Sequence, residues 1–275
     1  MTAKIIIAAH KQYRMPEDPL YVPVQVGADC NVDRDGNPID LGFAKDNTGD
    51  NISKKNPHFC ELTGLYWAWK NLDADWLGLV HYRRYFGLRQ PKRGEDLYDC
   101  VLTSAQAAKL LQKHRVLVPT RRKYYIETLY SHYAHTHYAE HLDETRKIIA
   151  EVCPDYLDAF DRVMDRRSGF MFNMCVMERG LMDDYCTWLF DILFRLEEAL
   201  KSQEAELSFY QGRFYGRVSE IIFNVWLEHQ LETGVLKQQD ICELPCLYTE
   251  KVNWFRKGIA FLSAKFLHKR YENSF

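Results

Sequence analysis

The segment Trp76–Phe86, WLGLVHYRRYF, constrains the fold more than any other part of the chain. Its first five residues are apolar and suit a buried strand, which runs directly into His81, Tyr82, Arg83 and Arg84. In an open α/β sheet, ligands bind beyond the carboxyl ends of the strands. Two adjacent guanidinium groups at such an end match the geometry of phosphate oxygens, which indicates a substrate that carries a diphosphate. The alternative is that the arginines pair with surface carboxylates.

The rest of the first half alternates between strand and helix patterns. Ile5–Ala9 and 116–118 have the composition of short buried strands. Amphipathic helices are expected over about Asn56–Leu72 and Ser104–His114, each capped by its first residue. This alternation favours an α/β sheet flanked by helices.

The second half differs in composition. The region Arg121–Arg167 is rich in tyrosine and histidine and is interpreted as an insertion or lid, with a helix from about Asp143. A strand over Gly169–Met177 and helices over Leu181–Leu196 and about Val218–Leu231 follow. Because no repeat or flexible linker interrupts the chain, one compact domain is favoured over two.

Charge and cysteine usage narrow the class of protein. A formal net charge of -2 argues against a general nucleic-acid binder. The eight cysteines form no CxxC pair, so reduced thiols are expected rather than a zinc ribbon or a disulfide framework. The apolar run Ile5–Ala9 is too short for a signal peptide or a membrane span, and a cytoplasmic protein is therefore expected.

Two patterns resemble metal sites but favour other interpretations. Asp73 and Asp75 form a DxD sequence, yet they precede the strand and would lie at the edge of the sheet opposite the ligand. A cluster of histidines has neither an HExxH glutamate nor a nearby cysteine, and hydrogen-bonding or acceptor-contacting roles are favoured for its members: His132, His135, His137 and His141. No metal is expected, and cationic side chains would neutralise the diphosphate instead, although a divalent cation is not excluded.

Glu220 is the candidate general base. It is expected near the start of a helix, where the helix terminus stabilises a carboxylate as the anion. Arg213 and Arg217 flank it and would either hold it in place or bind a phosphate. The alternative is that Glu220 is an ordinary residue of the first helical turn.

The C-terminal stretch Trp254–Arg270 has aromatic and aliphatic residues on one helical stripe with cations around it. This pattern is typical of a helix that lies in the surface of a membrane. Packing onto the parent domain or a partner subunit is the alternative.

Several longer motifs together resemble one bacterial family. They are VGA at 26–28, DNTGDNIS at 46–53, KNPHFCELTGLYWAWKN at 55–71, GLVHYRRYF at 78–86, FNMCVM at 172–177 and YCTWLFDIL at 185–193. The chain resembles the capsular and exopolysaccharide glycosyltransferases first catalogued as a domain of unknown function and grouped as glycosyltransferase family 111. Characterised members of that family are β-1,3-galactofuranosyltransferases.

The resemblance implies a fold and a reaction. The fold is of the GT-A type, a single catalytic domain over 1–252 with a Rossmann-like nucleotide-sugar-binding half at 1–120, an acceptor-binding half at 121–252 and an amphipathic helix at 253–275. The reaction is inverting transfer of galactofuranose from UDP-galactofuranose without a cofactor. The acceptor would be a lipid-linked oligosaccharide at the inner leaflet, to which the C-terminal helix would attach the protein.

The resemblance also implies roles for particular residues. Those expected to bind uridine lie after the first strand, in the stretch 26–28 and in the loop Asp46–Asn56, and they include Ala9, His10, Lys11, Val26, Gly27, Ala28, Asp50, Asn51, Ile52 and Asn56. Those expected to meet the diphosphate are His81, Arg83 and Arg84, helped by Lys55. Glu220 is the first choice for the base and Asp143 the second, and 124–141 would hold the acceptor sugar. Two alternatives remain open, namely another UDP-hexose as donor and a module that binds a nucleotide sugar or glycan without turnover.

Overall fold

The computed structural model describes residues 1–250, which form two compact units. The first unit comprises 1–120, 172–186 and 236–250, and the second comprises 121–171 and 187–235 within the described chain. The amphipathic helix expected at 253–275 lies outside the described residues.

The described strands are β1 (Ala3–Ala9), β2 (Tyr21–Gln25), β3 (Ala44–Lys45), β4 (Trp76–His81), β5 (Arg84–Phe86), β6 (Val116–Pro119), β7 (Arg122–Lys123), β8 (Ser168–Gly169), β9 (Cys175–Glu178), β10 (Ile241–Leu244) and β11 (Cys246–Tyr248). The described α-helices are α1 (Asn56–Phe59), α2 (Leu62–Asn71), α3 (Ser104–Leu111), α4 (Leu129–Thr136), α5 (Glu140–Val152), α6 (Leu157–Met164), α7 (Arg179–Glu204) and α8 (Phe214–Glu232).

A mixed nine-stranded sheet forms the centre of the first unit. Seven of its strands follow the order β10-β6-β9-β4-β1-β2-β3, and β5 pairs with both β4 and β11. The central strand β1 runs parallel to β2 and β4, whereas β9 lies antiparallel between β4 and β6. Ile5, Ile6 and Ile7 have no exposed surface, so both faces of β1 are covered. A strand covered on both faces is expected to be continuously apolar, as β1 is. The predicted α/β class is confirmed.

The second unit is mainly helical. Helices α4, α5, α6 and α8 pack together, beside the small antiparallel ribbon of β7 and β8. Its core contains large side chains with almost no exposed surface, among them Phe160, Phe214, Tyr215 and Trp226. Large aromatic side chains bury much apolar surface and so stabilise this core.

Three predicted helices differ from the structure in their continuity, their cap or their start. The helix predicted from Asn56 is divided at Cys60, whose φ of 54° is left-handed. Thr103, rather than Ser104, caps α3, since its hydroxyl accepts from the backbone of Gln106 while the Gln106 side chain accepts from the backbone of Thr103. Helix α8 starts at Phe214, a full turn before the predicted start.

The strand predicted over Gly169–Met177 is also wrong. It is divided into β8 and β9 because Phe172 and Asn173 have φ values of 76° and 52°. Asparagine tolerates the left-handed region, but phenylalanine there is a true outlier that costs about 1–3 kcal/mol. The surrounding structure must therefore hold this turn.

The parallel pairing brings several loops to one edge of the sheet. The carboxyl ends of β1, β2, β3 and β4 lie at the same edge, and the antiparallel β9 begins there. The residues that follow or precede these ends are therefore neighbours, as expected for a ligand-binding edge.

Gly78 allows β9 to approach β4 closely. A Cβ at this position would lie 2.7 Å from the backbone oxygen of Cys175. We expect Gly78→Ala to lower the free energy of unfolding by about 1–3 kcal/mol, because both backbones must shift. Urea unfolding measures this change, and Gly180→Ala is the control, since a Cβ there meets nothing within 4 Å. Equal stability of Gly78→Ala and the parent protein would contradict this assignment.

Candidate functional site

Asp46 organises the loops beyond β2 and β3. Its buried carboxylate accepts hydrogen bonds from the backbone N–H groups of Gly27 (2.8 Å) and Ala28 (3.0 Å). It also accepts from the hydroxyl groups of Ser53 and Thr63, each at 2.6 Å. The N–H groups of the Val26–Ala28 stretch are thus already bound within the protein. The sequence places Asp46 in a loop expected to bind uridine, but it does not predict this internal role, because the donors come from three separate segments.

Gly27 and Asn56 form a close contact at the same place. Gly27 has a φ of 66°, and a Cβ there would lie 2.4 Å from the side-chain oxygen of Asn56. The Asn56 amide donates to the carbonyl of Cys60 (2.7 Å) and to the hydroxyl of Thr63 (3.0 Å). These hydrogen bonds fix Asn56 to the start of α2. Asn56 is the first residue of α1, so the prediction that it caps this helix is wrong.

The segment after β1 contributes aromatic and cationic groups. Ala9 is fully buried, so its side chain offers no surface, whereas His10 and Lys11 are exposed. The His10 ring lies edge-on to Tyr82 at 5.1 Å, and Tyr13 lies 4.2 Å from the same ring. The aromatic face beside the end of β4 is thus formed by the loops after β1 and β4.

The loop Asp50–Ile52 is tied to α2 and to itself. The Asp50 carboxylate accepts from the hydroxyl of Tyr66 at 3.2 Å, and its backbone N–H donates to Asn71. The Asn51 amide donates to the carbonyl of Gly49, and its oxygen accepts from a backbone N–H. Ile52 is half-buried. Lys55 lies 5.8 Å from the ring of Phe59.

His81 bonds to the left-handed turn. Its Nε2 lies 2.5 Å from the carbonyl oxygen of Phe172. A carbonyl accepts only, so this nitrogen carries the proton and donates. Burial lowers the pKa of His81, an effect that the Glu61 carboxylate opposes and the charges of Arg84 and Arg83 reinforce.

Arg83 and Arg84 have different surroundings. Arg83 forms an ion pair of 3.1 Å with Glu250, and both side chains are more than a third exposed. Such a pair contributes little to stability, about 0–1 kcal/mol. For Arg83, the structure therefore shows the pairing with a surface carboxylate that the sequence left open.

The guanidinium of Arg84 instead packs on aromatic rings. It lies 4.4 Å from the ring centre of Phe172 and 5.9 Å from that of Tyr248. Its Nε is buried and has no hydrogen-bond partner in the part of the chain that the structure describes. Leaving a buried donor unpaired costs about 1–3 kcal/mol, so a bound anion would satisfy this group.

In the second unit, Glu220 lies near two tyrosines. Burial raises the pKa of Tyr124 and of Tyr133, and the charge of Glu220 adds to both shifts. Because α8 begins at Phe214, Glu220 lies in its second turn. The effect of a helix terminus is confined to the first turn, so the electrostatic argument made for Glu220 from the sequence is wrong.

Arg217 and Asp143, two further candidate residues of this unit, both bond to groups of the protein. Arg217 donates to the carbonyls of Tyr210 (2.6 Å) and Gln211 (3.4 Å) and lies over the Tyr210 ring at 4.2 Å. Asp143, the second choice for the base, is exposed and accepts from the hydroxyl of Tyr130 at 2.8 Å.

Every histidine of the cluster has a hydrogen-bonding partner, and two of them share one carboxylate. His132 and His135 both contact the buried carboxylate of Glu127, at 3.0 and 2.6 Å. His137 contacts Gln211 at 2.9 Å, and His141 contacts the hydroxyl of Tyr133 at 2.9 Å. Burial lowers the pKa of His132 to about 4. Within residues 1–250, no group of three or more His, Cys, Asp or Glu side chains is arranged to hold a metal.

The DxD sequence lies away from the candidate ligand-binding edge at the carboxyl ends of β1–β4. Asp75 accepts hydrogen bonds from the backbone N–H (2.6 Å) and hydroxyl (3.2 Å) of Thr2, beside the amino end of β4. This is the position expected from the sequence. Among the described residues, no helix is long and apolar enough to cross a membrane.

Comparisons with known proteins give one family and one solved structure. Residues 4–231 match the family described as "Domain of unknown function (DUF4422)". The apo structure of the WbbM bifunctional glycosyltransferase matches with a TM-score of 0.78 and 26% sequence identity. The match covers 91% of this chain and 46% of that chain, so this chain spans less than half of the solved protein's length. No curated protein matches.

Proposed function

The chain belongs to the DUF4422 family, and we propose that it is a glycosyltransferase that uses a nucleoside diphosphate sugar as donor. The observation that carries this proposal is the structural similarity to WbbM, which extends over 91% of the chain at 26% identity. The family match is in keeping with the resemblance drawn from the sequence motifs, which names a family of galactofuranosyltransferases.

The ligand-binding edge of the sheet supports the same reaction. Arg84 presents a partly buried cation whose Nε has no partner among residues 1–250. A diphosphate supplies the charge and the acceptor oxygens that this group requires. As UDP departs, negative charge grows on its β-phosphate, and a cation already held in place stabilises that charge without reorganisation.

The proposed reaction is a direct displacement at the anomeric carbon. The bond from this carbon to the β-phosphate oxygen breaks, and UDP leaves with the electron pair. The oxygen of an acceptor hydroxyl forms the new bond from the opposite face, so the configuration inverts. The hydroxyl proton passes to a carboxylate, for which Glu220 is our first choice and Asp143 our second.

We propose UDP-galactofuranose as the donor and a lipid-linked oligosaccharide as the acceptor, on the basis of the motif resemblance. The residues proposed to bind uridine are those around the ends of β1 and β2 and in the loop Asp50–Asn56. Because the N–H groups of Gly27 and Ala28 bind Asp46, this stretch would contact the nucleotide through its surface rather than through those donors. The tyrosine- and histidine-rich region 124–141 would hold the acceptor.

Donor screening tests the reaction itself. We expect purified protein to transfer galactofuranose from UDP-galactofuranose to a galactose-terminated acceptor, and to retain activity in EDTA because arginine rather than a metal stabilises the leaving group. Product formation with each UDP-hexose, followed by mass spectrometry, measures both expectations. If the protein transfers sugar only from a UDP-pyranose, the proposed donor is wrong. If activity is lost in EDTA and recovered on adding manganese, the metal-free mechanism is overturned.

Arg84 is expected to matter more than Arg83. Arg84→Ala should lower kcat by about 10²–10³-fold, since one preorganised partner of the leaving group is lost. Arg83→Ala should cause a smaller loss, because Glu250 already neutralises that charge. Steady-state kinetics with Arg89→Ala as control measure the difference, since Arg89 is an exposed arginine paired with Glu95. Equal losses in Arg84→Ala and Arg89→Ala would contradict the assignment.

Glu220 is tested by an isosteric change. Glu220→Gln should lower the transfer rate by about 10²–10⁴-fold, the usual contribution of a general base, while UDP affinity stays unchanged. Calorimetric titration with UDP and rate measurements separate the two quantities. Asp143→Asn is the matched variant, and if it loses activity while Glu220→Gln does not, the roles of these carboxylates are reversed.

A further inference from the structure

The left-handed turn Phe172–Asn173 of the first unit contacts both Arg84 and the end of β4. One of its side chains, Phe172, supports the guanidinium of Arg84 at 4.4 Å. Its backbone carbonyl accepts from His81, the last residue of β4. The turn thus touches both the cation and the strand that leads to it.

Two polar contacts hold the turn in its unusual conformation. His81 Nε2 bonds to the carbonyl of Phe172 at 2.5 Å, and the Asn173 amide donates to the carboxylate of Glu61 at 2.8 Å. Glu61 immediately precedes α2, and His81 ends β4, so the turn is fixed to two separate elements of the unit. A conformation that a phenylalanine rarely adopts persists only where its surroundings determine it.

The ring of Phe172 also has a second neighbour. Tyr248 on β11 meets it edge-on at 6.2 Å, and the Arg84 guanidinium lies 5.9 Å from the Tyr248 ring. The two rings therefore hold the guanidinium of Arg84, and they fix the direction of its N–H groups in place of a protein carboxylate. If the turn relaxed, the ring would move and the guanidinium would lose its support.

We infer that Glu61, Asn173 and His81 are positioning residues, which hold the Phe172 ring so that Arg84 is preorganised for the diphosphate of the donor. This inference rests on the proposed function and deepens it. It also changes the role given to His81 by the sequence. The Nε2 proton of His81 is used by Phe172, and burial lowers its pKa, so it acts as a neutral donor to the turn rather than as a cation facing phosphate.

A double-mutant cycle tests the inference. UDP binding is measured by calorimetry for the parent protein, Asn173→Ala, Arg84→Ala and the double variant. We expect each single change to weaken binding, Asn173→Ala by about tenfold, which corresponds to one hydrogen bond to a charged group. The double variant should bind no more weakly than Arg84→Ala alone, because Asn173 acts through Arg84.

Asn173 has a left-handed backbone conformation, so replacing it also changes the backbone strain at this position. Variants at Glu61 test the same hydrogen bond without that change. Glu61→Ala removes the acceptor of the Asn173 amide, whereas Glu61→Gln keeps an oxygen at the same place. We expect Glu61→Ala to weaken UDP binding about as much as Asn173→Ala, and Glu61→Gln to restore most of the affinity. Asp75→Ala is the matched control, since it removes hydrogen bonds at the opposite edge of the same sheet and should leave UDP affinity unchanged.

The outcomes separate the inference from the proposed function. If the parent protein binds no UDP, both are overturned. If it binds UDP and Arg84→Ala weakens binding, but Asn173→Ala and Glu61→Ala do not, the inference alone is overturned. Additive losses in the double variant would also overturn it, because they would show that the turn affects the fold in general rather than Arg84.

Discussion

The buried carboxylate of Asp46 is the interaction on which the candidate ligand-binding edge of the first unit depends. A carboxylate removed from water is costly unless hydrogen bonds replace its hydration. Here four donors do so, from Gly27, Ala28, Ser53 and Thr63. Because these donors belong to the loop after β2, the segment before α1 and the first turns of α2, one side chain fixes three parts of the chain relative to β3. These hydrogen bonds tie the loops of the edge together without any contribution from a ligand.

Against this fixed background, the cations beyond β4 have contrasting electrostatic environments. Arg83 is neutralised by Glu250 in water-exposed surroundings, where an ion pair is weak. Arg84 lies on two rings, with its Nε buried and without an acceptor in the described chain. An anion can gain more binding free energy at Arg84 than at Arg83, because folding has already removed part of the Arg84 guanidinium from water. The structure thus distinguishes two residues that are adjacent and chemically identical in the sequence.

The sequence was sufficient to predict features that depend on neighbouring residues. The apolar run of β4 and the cations after it are local, and so is the place of Asp75 before the strand. The sequence was insufficient where the role of a residue depends on segments that are distant along the chain. The carboxylate of Asp46 has its role only because parallel pairing gathers its donors. The apolar run 170–177 predicts a strand, and a single polar residue within it, Asn173, was the one signal that the backbone turns there. The early start of α8 at Phe214 displaced Glu220 from the helix terminus and removed one argument for its charge.

The sheet is completed by strands that are far apart along the chain. Strand β10 pairs with β6 and β11 pairs with β5, although the described part of the second unit is synthesised between these partners. Strands β5 and β6 therefore each keep an unpaired edge until the later residues have been synthesised. Unpaired strand edges are sites for association with other chains. Loop closure over long separations is slow. Helper proteins that shield nascent strands would thus have their greatest effect on this part of the molecule during its biosynthesis.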